Sequence, residues 1–261
     1  MNLPLYQIDA FTSRLFSGNP AAVVLLDAWL PDTVLAAIAA ENNLAETAFV
    51  IPRGKPMPLR WFTPTVEVDL CGHATLAAAH VLFRYAFPAA QRFEFDTRSG
   101  VLAVTRDGDY LSMDFPARPG QPLAAIDSLA AVLGARPREA YLARDLLAIF
   151  DSESQVRDFK PDYTHIAALD AFALTIAAPG DEVDYVYRFF APRQGISEDP
   201  ATGSANCTLA PYWAKRLGKS DLTARQLSPR GGELRCALRG ERVLIAGRTV
   251  EYLRGEITVE A

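Results

Sequence analysis

Cysteine is scarce in this chain: Cys71, Cys207 and Cys236 are the only three in 261 residues. They are too few and too scattered for a disulfide framework, which points to a reducing, cytoplasmic setting. Lysine is nearly as rare, with Lys55, Lys160, Lys215 and Lys219 alone. None of them sits in a motif that would hold a cofactor as an aldimine. No uncharged apolar run reaches the roughly 18 residues of a membrane helix. The opening residues lack the basic start and apolar stretch of a signal peptide. Positive charge is in deficit, with 26 Lys+Arg against 31 Asp+Glu. That balance, with no basic run, excludes a nucleic-acid binder, because such binding depends on basic groups that neutralise phosphates.

What is present is a globular composition, 50% hydrophobic and 22% charged. At about 150 residues per domain, the length fits one large domain or two small ones. Strand patterns cover Leu5 to Phe11, Ala21 to Leu26, Leu44 to Ile51 and Leu59 to Phe62, and Pro31-Asp32 opens a helix running to about Asn42. Pro116-Ala117-Arg118-Pro119-Gly120-Gln121-Pro122 can continue neither a helix nor a central strand, and reads as a linker. The expected organisation is therefore a lobe of residues 1–117, joined by a C-terminal strand at 249–261, and a second lobe of residues 118–248.

An internal repeat supports two lobes. Arg60-Trp61-Phe62-Thr63-Pro64 recurs 128 residues later as Arg188-Phe189-Phe190-Ala191-Pro192. Seven residues after each closing proline a turn begins, Cys71-Gly72-His73-Ala74-Thr75 in one half and Asp199-Pro200-Ala201-Thr202-Gly203-Ser204-Ala205 in the other. Each turn leads into a helical segment, and the matched spacing reads as a duplication. Asp199 before Pro200 has the form of an N-cap with proline at the first helical position.

Duplicated lobes usually bind their ligand in the cleft between them. Two helix N-termini offer unpaired N–H groups and partial positive charge, which suit a small anionic molecule. Gly72 and Gly203 carry no side chain to block its approach. His73, Asp199, Thr202 and Ser204 are the polar candidates, together with Glu46 at the opening of an apolar strand. A carboxylate in such surroundings loses hydration, so its pKa is expected to rise into the range useful for proton transfer.

At five places the residues become specific. Tyr6-x-Ile8-Asp9-Ala10-Phe11, Phe16-x-Gly18-Asn19-Pro20-Ala21-Ala22-Val23, Asn43-Leu44-Ala45-Glu46-Thr47-Ala48-Phe49, Cys71-Gly72-His73-Ala74-Thr75 and Glu198 to Ala205 resemble, in order, the signature segments of the phenazine-biosynthesis PhzF-like family. The resemblance implies an α/β (α+β) fold like that of diaminopimelate epimerase, two pseudo-symmetric lobes, each a β-sheet wrapped around a central helix. It implies an isomerase that uses no cofactor and no metal, with Glu46 as the acid–base group. His73, Asp199 and Ser204 match its other catalytic positions, and Asn19, Gly72, Thr202 and Gly203 are candidates for holding the substrate. It also implies a homodimer.

The chain departs from the related two-cysteine epimerases, which remove a proton with one thiol and deliver it with another. Cys71 stands in the first turn, but Asp199-Pro200 occupies the second. Cys207 reads as lying one to two helical turns inside the second helix. An amino-acid epimerase and a small-molecule binder without turnover are the alternatives to the isomerase. Other patterns fail. His73 and His80 are seven apart on one helix, about 10.5 Å along its axis, too far for one metal ion. Gly218-Lys219-Ser220 lacks the upstream glycine of a phosphate loop, where Trp213 stands. Ser204 lacks the glycine-flanked elbow of a serine hydrolase.

Overall fold

The computed structural model describes residues 1–124 and 126–260. The chain forms two compact units, Met1–Asp114 with Ala246–Ala261, and Phe115–Ile245. The sequence places the corresponding boundaries at 117/118 and 248/249. The segment read as a linker is bound within the second unit. Ala117 N–H donates to the Glu241 carbonyl and Arg118 N–H to the Cys207 carbonyl, and Gln121–Pro122 pairs with Tyr141–Leu142.

In the first unit, Thr249–Thr258 lies antiparallel to Asn2–Ala10, which lies antiparallel to Asn19–Leu25. The turn between those two strands needs Gly18. Its φ is +68°, and a Cβ there would meet the Ala10 carbonyl oxygen at 2.2 Å. Asn19–Leu25 then runs parallel to Glu46–Val50, which is antiparallel to Met57–Phe62. Met57–Pro58 pairs in parallel with Phe95–Asp96, and that strand opens an antiparallel meander through Gly100–Asp107 and Tyr110–Pro116.

The central helix is Gly72–Val81. It packs on the strands Asn2–Ala10, Asn19–Leu25 and Glu46–Val50, and also meets Gly100–Asp107 and Thr249–Thr258. A helix enclosed in this way has no wet face. Ala74, Ala77, Ala78 and Ala79 are fully buried, and their small side chains let the strands approach closely. A leucine at Ala77 would overpack this site. The far side of the sheet is covered by the helix Asp32–Asn42, whose Leu35 and Ile38 pack with Val24, Phe49 and Phe62.

The second unit repeats the succession of strand pairings. Glu139–Leu142 and Leu146–Ile149 are antiparallel, Leu146–Ile149 and Leu174–Pro179 parallel, and Leu174–Pro179 and Tyr185–Phe190 antiparallel. Tyr185–Phe190 is parallel to Asp221–Gln226, which is antiparallel to Gly232–Arg239. Antiparallel, parallel, antiparallel, parallel, antiparallel is also the order in the first unit. Its helix Asn206–Leu217 packs on Asp221–Gln226 and Gly232–Arg239. Among the described residues, no helix is long and apolar enough to cross a membrane.

Candidate active site

Glu46 is the first residue of Glu46–Val50. Asn43 ends the preceding helix in the left-handed conformation, φ 48°, with its N–H on the Ala39 carbonyl, so the chain reverses within three residues. Side chains alternate along a strand. Phe49 therefore joins the cluster under Asp32–Asn42, while Glu46 turns to the central helix. Ala21 is Glu46's partner across the parallel ladder. Asn19, fully buried and two residues before Ala21, shares that face.

Cys71 is the N-cap of the central helix, Gly72 its first residue and His73 its second. His73 Nε2 lies 3.0 Å from Glu46 Oε2, with the side chains 9% and 11% exposed. Cys71 Sγ lies 3.5 Å from His73 Nδ1 and 4.0 Å from Nε2. Glu46 Oε2 is buried without an aligned hydrogen-bond donor. Its contact with His73 is one of charge on charge rather than a directed N–H···O bond.

These contacts reverse the expected pKa of Glu46. Burial drives its carboxyl upward, but the His73 charge and the contacts with His73 and Cys71 outweigh burial and hold it below its ordinary value. A lone acid would have risen, but the sequence hides the cation beside it. Burial lowers His73 in turn, yet the Cys71 and Glu46 acids facing it hold the imidazole well above its usual range. Burial and the Glu46 charge push the Cys71 thiol up to about 11. At neutral pH the cluster is thus a carboxylate, an imidazolium and a neutral thiol.

The other predicted residues lie in the second unit, and there the helix does not open where the repeat places it. It begins at Asn206, six residues beyond Pro200, with Ala205 as its N-cap. Asp199 is therefore not the N-cap, and Ser204 precedes the helix. The reason is tertiary. Gln226 Oε1 accepts from Thr202 N–H at 2.6 Å while its Nε2 donates to the Asp199 carbonyl at 2.5 Å. The Thr202 hydroxyl donates to the Asp199 carboxylate. Asn206 donates to the Thr202 and Gly203 carbonyls, each at 3.2 Å, and accepts from the Tyr185 hydroxyl at 2.6 Å. Tyr187 also donates to the Thr202 carbonyl, at 2.9 Å. With backbone groups satisfied from outside, residues 199–205 need no helix to be buried. Gln226, Asn206, Tyr185 and Tyr187 escaped the sequence reading because nothing in their spacing marks them.

Cys207 is the second residue of this helix and lies in its first turn, not one to two turns inside. Pro211 stands within the same helix and lacks the N–H that would serve the Cys207 carbonyl. The Arg118 N–H takes that place at 2.8 Å.

Two units with the same strand succession, one presenting a buried carboxylate–imidazole–thiol cluster, define a duplicated α/β protein with an epimerase-like fold. The PhzC-PhzF family model, described as phenazine biosynthesis-like protein, matches residues 8–255. The chain belongs to this family and is an isomerase. A Pseudomonas aeruginosa protein named as an uncharacterized isomerase is 51% identical over 98% of this chain and 99% of its own. The crystal structure of a phenazine biosynthesis protein of the PhzF family from Enterococcus faecalis superposes with a TM-score of 0.97 at 45% identity, covering 99% of this chain and 100% of that one. A hydroxyproline epimerase from Agrobacterium vitis shares the fold alone, with a TM-score of 0.61 at 12% identity over 98% of this chain and 92% of its own.

Proposed function

We propose that this isomerase works without a cofactor, moving a proton between carbons of a small carboxylate substrate with Glu46 as the acid–base group. One observation carries the reading. A buried carboxylate oxygen without a directed hydrogen bond sits 3.0 Å from an imidazole nitrogen. Glu46 is ionised and has a free lone pair to take a proton from carbon next to a carbonyl or carboxyl group. As it does, negative charge passes from Glu46 to the substrate. His73, already a cation, then stabilises the new anion without rearranging. The protonated Glu46 returns its proton to a different carbon and the ion pair is restored.

The test is a mass-spectrometric metabolite screen in D₂O with wild type and Glu46→Gln. A compound that gains deuterium only with wild type identifies the substrate class and supports Glu46 as the base. Exchange retained by the variant removes Glu46 from the chemistry. A ligand that co-purifies with both proteins, with no exchange by either, leaves a binding protein in place of the enzyme. Asp199→Asn and Ser204→Ala ask in the same assay whether the second unit's turn serves that substrate. The family resemblance extends the proposal to a cytoplasmic homodimer, which a monomer mass in light scattering across concentrations would remove.

A further inference from the structure

We propose that Glu46, Cys71 and His73 form a three-ligand site for a divalent cation of the zinc class, and that its occupancy shuts off proton transfer at Glu46. The second half rests on the isomerase reading above; the first half does not.

Carboxylate oxygen, imidazole nitrogen and thiolate sulfur are all zinc donors, and three protein ligands with one open position are a known zinc arrangement. Zinc takes nitrogen at about 2.0–2.1 Å and sulfur at about 2.3 Å, so tetrahedral ligands stand about 3.3–3.7 Å apart. Here Nε2 is 3.0 Å from Oε2 and 4.0 Å from Sγ, and the three donor groups lie within 4.8 Å of one another. Modest side-chain shifts would seat an ion. Glu46 Oε2 is buried and makes no aligned hydrogen bond, its 3.0 Å neighbour His73 Nε2 being another of the three ligands.

A divalent ion takes carboxylate, thiolate and neutral imidazole as ligands, so any proton on the thiol or the imidazole leaves to solvent as the ion enters. The two anionic ligands then balance its charge within a buried place. His80 has no part in it, as its Nδ1 is engaged 2.7 Å from the Thr249 hydroxyl. His80, too far along the helix to share an ion with His73, is not a ligand, and Glu46 comes to the site from a strand. Once coordinated, Glu46 has lost its free lone pair and His73 its positive charge, so neither can serve proton transfer.

The experiment is titration of the full-length protein, first stripped with chelator, with Co²⁺ as a spectroscopic probe. A thiolate-to-cobalt charge-transfer band should saturate at one equivalent and bleach with Zn²⁺. Ligand protons leave as the ion enters, so affinity should rise with pH. Cys71→Ser should remove the band, and Cys207→Ser and Cys236→Ser should each keep it. Glu46→Gln, checked for folding by circular dichroism, should weaken binding at least about tenfold, the loss that even an outer partner of a metal site gives. No saturable band, or one that survives Cys71→Ser, overturns the site. In the D₂O exchange assay, Zn²⁺ should stop turnover and chelator restore it. Exchange that continues with the site full overturns the inhibitory half. Wild type that never exchanges sinks the isomerase reading instead, while the cobalt spectrum still decides the site.

Discussion

The two units carry the same pentad and use its arginine in the same way. Arg60 grips Glu67 through both nitrogens at 2.7 Å, and Arg188 grips Glu198 at 2.7 and 2.9 Å. Bidentate pairs of this kind are strong and directional. Each pins the loop after its strand. The surroundings then diverge. Arg60 also reaches the exposed Asp32, and Arg98 shares Glu67. Arg188 is buried and donates to the Phe159 carbonyl at 2.7 Å. Beyond the loops the divergence widens. The first turn places buried titratable groups at a helix start, while the second is laced by amides and hydroxyls from Gln226, Asn206 and Tyr187. The scaffold occurs twice, but among the described residues a carboxylate, an imidazole and a thiol are brought together at the helix start of the first unit alone. In the second unit, amide and hydroxyl hydrogen bonds around the Asp199–Thr202 turn hold its shape.

The sharpest way to break this comparison is at the charged cluster. Glu46→Gln should lower deuterium exchange by at least about 10²-fold, the usual worth of a general base, while circular dichroism stays native.

The arginines give the next effect. Arg188→Met removes a buried guanidinium and leaves the mostly covered Glu198 carboxylate unpaired, and should cost about 3 kcal/mol in urea unfolding. Arg60→Met should cost clearly less, because Arg98 still neutralises Glu67. Equal losses would end the claimed asymmetry. Gln226→Ala leaves the Thr202 N–H and the Asp199 carbonyl without their partner and should cost about 1–3 kcal/mol.

The pH dependence separates the units further. Glu46 is held low, so the ion pair's contribution is present above 4.5 and fades as pH falls through its folded value. His73 is held high, so its contribution is fully present below 6.5 and is lost as pH rises from there through its raised value. Exchange should be flat across neutrality and fall at both ends. An alkaline limb at the ordinary imidazole value would show that the pair does not form. Pro211→Ala should move stability least, by under about 1 kcal/mol, since a restored N–H would only compete with Arg118 for the Cys207 carbonyl.

Much of this was legible beforehand. The helical segment after Gly72, the strand opening at Glu46 and the paired pentads of a duplication were all readable, because each depends on local sterics or on spacing along the chain. Glu46 and His73 stood out as polar residues in apolar or helix-opening settings. The linker reading of residues 116–122 failed because distant partners bind that segment, and three more readings failed for want of neighbours. The Glu46 pKa went down rather than up, Asp199 did not cap a helix, and Cys207 lay in the first turn.

The strand and helix vocabulary, the repeat and the inventory of titratable groups follow from side-chain chemistry and short-range backbone preference along the chain. Their charge states and partners follow from folding. His73 lies 27 residues from Glu46, and Gln226 lies 24 from Thr202. The energy of a buried charge or an unpaired amide is set by whatever sits within about 4 Å of it, and sheet pairing across the chain selects those neighbours.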